Sequence, residues 1–168
     1  IIGSEPDVVV HCAAYTAVDK AEDDKILCNI INALATKEIA YSCKEIDAKL
    51  IYVSTDYVFD GLKDGEYYPN DVVNPLSVYG KSKCMGEVYA SINPKTYIAR
   101  TSWVFGINGN NFVKTMLKLA KDRNEVNVVS DQIGSPTYTV DLAKVLVDMA
   151  ETDKYGIYHI TNNGFCSW

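Results

Sequence analysis

Short apolar runs alternate with amphipathic stripes along this chain, and that order constrains the fold more than any other feature, because strands that follow one another through helices run parallel. Asp7-Val8-Val9-Val10-His11-Cys12-Ala13-Ala14 reads as a first strand, covered on both faces. From about Asp24 to Asp47, Leu27, Ile30, Ile31, Leu34, Ile39 and Cys43 recur at helical spacing, which predicts one long helix that buries this stripe. Lys49 to Ser54 is a second strand. The stretch from Thr55 to Ser77 is aromatic, acidic and broken by Gly61, Gly65, Pro69 and Pro75, as in a long functional loop.

A helix is expected from the N-cap Ser77 to Ile92, where Asn93-Pro94 stops it. Then follow a strand at Thr96 to Thr101, an amphipathic helix at Phe112 to Arg123 and a short strand at Val126 to Val129. After the break at Gly134-Ser135-Pro136 come a helix from the N-cap Thr139 to about Glu151 and a last strand at Gly156 to Thr161. The expectation is an α/β fold, a Rossmann-like doubly wound parallel sheet. Both ends read as incomplete, Ser167-Trp168 resembling the cap and first residue of a helix, so residues 1–168 are expected to be the central part of a single domain.

With 168 residues, 48% of them hydrophobic, the chain can bury one sizeable core. Its apolar runs fall far short of the ~20 residues of a membrane-spanning helix, and no basic-then-apolar leader is visible. No membrane association and a cytoplasmic location are expected. Five cysteines, Cys12, Cys28, Cys43, Cys84 and Cys166, form no Cys-x-x-Cys pair and read as buried apolar residues or free thiols. A net charge of −6 without a basic cluster argues against nucleic acid as a partner. His11 and His159 lie in apolar runs without other ligands at metal spacing, so they read as buried, hydrogen-bonded histidines and no metal site is expected.

Three segments then need a joint explanation: Ala13-Ala14-Tyr15-Thr16 and Ser54-Thr55-Asp56-Tyr57 at strand ends, and Tyr79-Gly80-Lys81-Ser82-Lys83 on a helix. In open α/β sheets, ligands bind outside the C-terminal ends of the strands. Tyr79 and Lys83 are i and i+4, so phenol and ammonium share a helix face. Moving a tyrosine pKa from about 10 to near 7 takes roughly 4 kcal/mol. A lysine charge at about 4 Å, in an effective dielectric of about 20, supplies a contribution of that order. Such a tyrosine can exchange a proton with a carbonyl oxygen.

These residues resemble the Ser/Thr, Tyr-x-x-x-Lys triad of the short-chain dehydrogenase/reductase superfamily, with Thr55, Tyr79 and Lys83 in the three places. Tyr-x-x-x-Lys alone also describes an ordinary exposed helix pair. The longer runs are more specific: Ser54 to Gly61 (Ser-Thr-Asp-Tyr-Val-Phe-Asp-Gly), Asn74 to Lys83, Arg100 to Gly106, Ala13 to Glu22 and Gly134 to Thr137. Together, from about Pro6 to Trp168, they resemble the dTDP-4-dehydrorhamnose reductase family. The resemblance implies reduction of a dTDP-4-keto-6-deoxy sugar by NADPH or NADH, with Tyr79 as proton donor. Lys83 would lower the tyrosine pKa and hold the nicotinamide ribose, while Thr55 positions the phenol and the sugar oxygen.

By the same matching, Ala14, Tyr15 and Thr16 would line the cofactor largely through backbone groups, as would Val53. Asp56 and Trp103 fall at substrate-side positions, with Tyr57 and Val18 as weaker candidates. Thr55 also reads as a plain strand-end hydroxyl and Trp103 as a core aromatic. Arg100 reads as half of a structural ion pair rather than a diphosphate ligand, Asn32 as structural, and Phe112 as capping and packing its helix. The family's Gly-x-x-Gly-x-x-Gly phosphate-binding turn has no counterpart here, Gly3 being isolated. The implied partner is a nucleotide sugar, and a homodimer is compatible with the resemblance. Two alternatives share much of this pattern: a nucleotide-sugar epimerase or 4,6-dehydratase, and a non-catalytic regulatory subunit resembling the β subunit of methionine adenosyltransferase.

Overall fold

The computed structural model describes all 168 residues. Four parallel strands form its main sheet, in the order β1 (Val8–His11), β2 (Lys49–Thr55), β3 (Thr96–Thr101) and, after the elements described below, β7 (Gly156–His159). The pleat divides β2 between two cores. Leu50 and Tyr52 face α2 (Ala35–Glu45) and α3 (Val78–Ala90), packing with Ala40, Cys43, Ala90 and Ile98. Ile51 faces the other way, with Tyr97 and Ala99, against Leu142 and Leu146 of α5 (Thr139–Ala150). Helices on both faces make this the expected doubly wound, Rossmann-like sheet.

The first long helix departs from expectation in a way that matters for the site. It runs as α1 (Lys25–Asn29), a π turn (Ile30–Leu34) and α2, the amide of Ala35 bonding to the carbonyl of Ile30. The extra residue per turn rotates the buried face. Leu27, Ile30 and Leu34 of the expected stripe are exposed, while Cys28, Asn32, Ala33, Thr36, Ala40 and Cys43 are buried. Small and polar side chains line this face because α3 lies close against it.

Gly86 of α3 shows how close. A Cβ there would strike the Tyr52 hydroxyl and come within 2.6 Å of the Asn32 carbonyl oxygen. Gly80 is similarly fitted, a Cβ colliding with the Tyr57 carbonyl oxygen and lying 3.2 Å from Pro75. The expected N-cap is present, since Ser77 Oγ accepts a hydrogen bond from the Gly80 amide. At the same helix end, a Glu22 carboxylate oxygen accepts from the Val78 amide.

Smaller differences have local causes. β1 is shorter than expected and is an edge of the four-stranded sheet, so Val10 is 46% exposed rather than covered. Residues 126–129 form no strand, having no pairing partner. Asn111, not Phe112, caps α4 (Phe112–Asp122). Tyr138, not Thr139, is the N-cap residue of α5, without a side-chain cap bond. β4 (Val104–Phe105) pairs with β6 (Thr137–Tyr138), and β5 (Ile133–Gly134) pairs with β8 (Cys166–Ser167). Ser167 is therefore a strand residue and not a helix cap. The long segment after Thr55 contains one 3-10 turn, Asp56–Val58, and then no regular structure to Ser77, as expected. No helix is long and apolar enough to cross a membrane.

Replacing Gly86 by Ala in the intact protein is expected to destabilise it by about 1–3 kcal/mol through overpacking. A lowered denaturation midpoint with an unchanged m-value would show this; an unchanged midpoint would mean that α3 does not approach Tyr52 so closely.

Candidate active site

The C-terminal ends of the parallel strands carry the expected groups. β2 ends at Thr55, opposite Thr101 in the register, and the chain turns at once into Asp56–Val58. The Thr55 hydroxyl donates to the Asp56 carboxylate at 2.9 Å and accepts from the Tyr57 amide at 3.2 Å. Burial raises the Asp56 pKa, the Thr55 hydrogen bond working against that rise.

Tyr79 and Lys83 lie one turn apart on the buried face of α3, 9% and 2% exposed. The Tyr79 ring meets Tyr57 edge-on at 5.5 Å and packs with Ala21 and Cys28, Tyr15 and Val18 adjoining. Its phenol is pushed up to about 12, first by burial, with the charges of Asp56 and Tyr57 adding to the rise and the Thr55 hydroxyl opposing it. Burial is thus the largest influence on the phenol, and Lys83 is not among the groups that shift it. The Lys83 ammonium instead donates to the Val53 carbonyl at 2.7 Å and lies 4.1 Å from the centroid of the Tyr52 ring. Its own pKa is lowered from 10.5 to about 8 by burial, with Glu87 the largest opposing influence.

The turn after β1 is held by Asn32. The Tyr15 amide donates to Asn32 Oδ1 at 2.7 Å, and Asn32 Nδ2 donates to the Tyr15 carbonyl at 3.1 Å and to Ser82 Oγ at 2.9 Å. Ser82 in turn donates to the Tyr79 carbonyl at 2.7 Å. One buried amide in the π turn therefore ties the Ala14-Tyr15-Thr16 turn to the Tyr79 helix. Tyr15 thus spends both its backbone groups on Asn32, and its hydroxyl donates to Asp24 at 2.8 Å. Ala14 is half-buried and Thr16 exposed. Asn32 is structural, as expected, but it structures the site itself.

His11 is buried, and its Nε2 is 3.0 Å from Thr36 Oγ1. Thr36 donates its own proton to the Asn32 carbonyl at 2.8 Å, which makes His11 Nε2 the donor. Burial, with Lys83 nearby, lowers this histidine to about 4, so it is neutral at pH 7. His159 is half-buried, Nδ1 lying 3.1 Å from the Tyr67 carbonyl oxygen. All five cysteines are free, with Cys28 and Cys43 buried.

Arg100 is the structural ion-pair residue the sequence suggests, and its partner is Glu87, one turn beyond Lys83. Nε and Nη2 donate to the two Glu87 oxygens at 2.8 and 2.7 Å, Ser54 donates to Glu87 at 2.6 Å, and Nη1 reaches the Pro69 carbonyl at 3.3 Å. The pair therefore anchors the loop between Thr55 and Tyr79 to the sheet.

Trp103 stands apart from this group. It sits just past β3 in the left-handed region, φ 47°, a conformation that costs a non-glycine residue about 1–3 kcal/mol. Its indole stacks on Trp168 at 3.6 Å and lies against Gly134, and Phe112 tilts onto Trp168 at 4.4 Å. It is half-buried in this aromatic group rather than part of the sheet core. The site residues not found from sequence are Tyr52 and Glu87. Glu87 continues the i, i+4 series of Tyr79 and Lys83, and that spacing could have revealed it. Tyr52 looked like any strand aromatic.

A parallel doubly wound sheet with a buried Tyr-x-x-x-Lys face at its C-terminal edge defines a Rossmann-like α/β protein of the short-chain dehydrogenase/reductase type. More particularly, the chain belongs to the RmlD substrate binding domain family, which matches residues 1–168. It is 48% identical to a dTDP-4-dehydrorhamnose reductase of Aggregatibacter actinomycetemcomitans, over 98% of this chain and 58% of that protein. It is 46% identical to the spore coat polysaccharide biosynthesis protein SpsK of Bacillus subtilis, over 98% of this chain and 58% of that protein. A crystal structure of dTDP-4-dehydrorhamnose reductase from Bacillus anthracis in complex with NADP superposes with a TM-score of 0.95 at 46% identity, covering 98% of this chain and 59% of that one. The chain thus spans under two thirds of the length of these relatives.

Two measurements check the electrostatics. The Lys83 side chain, followed by 13C NMR, is expected to titrate near pH 8: ammonium below, amine above. A midpoint at the ordinary 10.5 would contradict the burial described here. Replacing Arg100 by Met strands a buried carboxylate and is expected to cost about 3–5 kcal/mol, most of it recovered when Glu87 is changed to Leu as well. Chemical denaturation reads both values, and additive losses would deny the pairing.

Proposed function

We propose that the intact polypeptide is a dTDP-4-dehydrorhamnose reductase, reducing the 4-keto group of dTDP-4-dehydro-6-deoxy-L-mannose with NADPH or NADH to give dTDP-L-rhamnose. The observation that carries this reading is the buried face of α3, where Lys83 reaches the Val53 carbonyl of β2 and Tyr79 meets Tyr57, just past Thr55 and Asp56. The names of the relatives support the substrate, the NADP complex of the Bacillus anthracis protein supports the cofactor, and SpsK supports a role in cell-surface polysaccharide synthesis.

The donor set suits a nicotinamide cofactor. Lys83 has three N–H donors and spends one on the Val53 carbonyl, which leaves donors for a ribose diol. Val53, Ala14, Tyr15 and Thr16 would line the cofactor, and Asp56 and Trp103 the sugar. When bound, the reduced nicotinamide supplies the hydride that adds to C4.

The protein's share of the reaction is to move a proton and hold charge. With its pKa near 12, Tyr79 is a neutral phenol at pH 7, the form that can donate to the developing O4 alkoxide. The proton passes from the phenol to the sugar oxygen, completing the hydroxyl and leaving a phenolate. Lys83, one turn along the same face, supplies the positive charge that this phenolate needs. Thr55 orients the phenol and the sugar oxygen, its own proton being held by Asp56.

We also propose that residues 1–168 are the central part of one NAD(P)-binding reductase domain, in keeping with their 58% share of the relatives. On this reading the pyrophosphate-binding turn belongs to the rest of the polypeptide. A cytoplasmic enzyme, acting as a homodimer, completes the proposal. The exposed Leu27, Ile30 and Leu34 side chains support a face covered by a second copy.

The test is oxidation of NADPH or NADH by the intact protein in the presence of the dTDP-4-keto sugar. Replacing Tyr79 by Phe is expected to lower kcat by about 10²–10⁴-fold while leaving cofactor Kd nearly unchanged. No turnover with either cofactor, together with stable binding to a methionine adenosyltransferase, would overturn the reading in favour of a regulatory subunit.

A further inference from the structure

Lys83 presents an electrostatic problem that the proposed reaction does not by itself solve. Its ammonium is almost wholly buried, and it forms no ion pair. The nearest acidic residue on its own helix, Glu87, has both oxygens engaged by Arg100 and a further bond from Ser54. A buried lysine without a partner ordinarily gives up its proton, yet the reaction needs the charge. What faces the ammonium is the Val53 carbonyl at 2.7 Å and the Tyr52 ring, its centroid 4.1 Å away.

We propose that Tyr52 is a positioning residue for the reaction: its aromatic face takes the place of an acidic partner, holding the Lys83 ammonium charged and directed toward the end of β2. The proposal rests on the reductase reading, because only there must Lys83 stay charged beside a tyrosine that becomes a phenolate.

Three observations support it. The ring is fully buried and cannot swing away. Its hydroxyl is held between the π turn and α3, 3.4 Å from the Asn32 and Lys83 carbonyl oxygens, with Gly86 leaving no space beyond it. Burial raises the Tyr52 pKa far above the ordinary value, so the group stays neutral and acts on Lys83 through its π face rather than as a phenolate. An anionic partner at this place would instead compete with the phenolate for the ammonium.

The other groups around Lys83 are accounted for. On α3 these are Tyr79 and the Arg100-bound Glu87. Cys28 comes from α1, and Cys12, with the neutral His11, from the end of β1. Glu87, Cys12 and Cys28 all favour the charged form, and burial still outweighs them.

The test replaces Tyr52 in the intact protein by phenylalanine and by mono-, di- and trifluorophenylalanine, which keep the ring's shape and drain its π face in steps. Lys83 protonation is read by 13C NMR and the pH dependence of kcat by cofactor oxidation. Phenylalanine, which keeps the π face, is expected to leave the Lys83 midpoint near its wild-type value. Successive fluorines are expected to lower the ammonium-to-amine ratio at fixed pH, by about tenfold for the trifluoro ring. The alkaline limb of kcat moves to lower pH in step, and KM for the sugar stays put.

A Lys83 midpoint unchanged across the series overturns the proposal. So does a full drop on going from tyrosine to phenylalanine with nothing added by fluorine, since the hydroxyl would then carry the effect. Should the wild-type enzyme turn nothing over, the reductase reading fails, and the lysine titration still decides for or against the Tyr52 contact.

Discussion

The close contact between α3 and the face formed by β2 and the π turn is the constraint on which the site depends. It places a tyrosine and a lysine where water is nearly excluded, and every electrostatic property described above follows from that exclusion. Burial raises the phenol and lowers the ammonium together, because in each case it penalises the charged form. In this structure desolvation, not mutual attraction, is the larger influence on both groups. The contact is made by residues with little side chain: Ser82, Gly86 and Ala90 on α3, and Cys28, Ala33 and Ala40 opposite.

Polar groups buried at such a contact have to satisfy one another, and they do so in two sets. Asn32 joins the turn after β1 to the Tyr79 helix and, through its carbonyl, to Thr36 and His11. Glu87 and Arg100 join the same helix to β3 and to the loop that precedes it, Ser54 completing the carboxylate. One set braces the side where the cofactor would lie, and the other braces the loop between Thr55 and Tyr79. Lys83 belongs to neither, which is why its surroundings decide its charge.

Much of this was legible in the sequence. The apolar runs at residues 49–54 and 96–101 are strands because fully covered parallel strands need little polarity on either face. Ser77 as N-cap and Asn93-Pro94 as stop bracket α3 correctly to within a few residues. Tyr79 and Lys83 share a face at any helical spacing, and Arg100, inside a strand, had to be paired. The failures have separate causes. Leu27, Ile30 and Leu34 looked buried because periodicity assumes a regular helix, and the π turn changes the phase. Val126 to Val129 has strand composition but finds no strand to pair with.

The sequence by itself therefore determined the class of fold and the pairing of Tyr79 with Lys83 on one helix face, since both rest on local pattern: hydrophobic period, caps, and a four-residue spacing. Tertiary structure alone decided how that pair behaves. Helix spacing can set two side chains on one face, but it does not say how much water they keep or what else they touch. A lysine one turn from a tyrosine suggested a lowered phenol. In the folded chain that lysine also meets a backbone carbonyl and the ring of Tyr52, twenty-seven positions before Tyr79 and on another element. Desolvation depends on the sum of everything packed around a group, and that sum exists only once the sheet and its helices have closed.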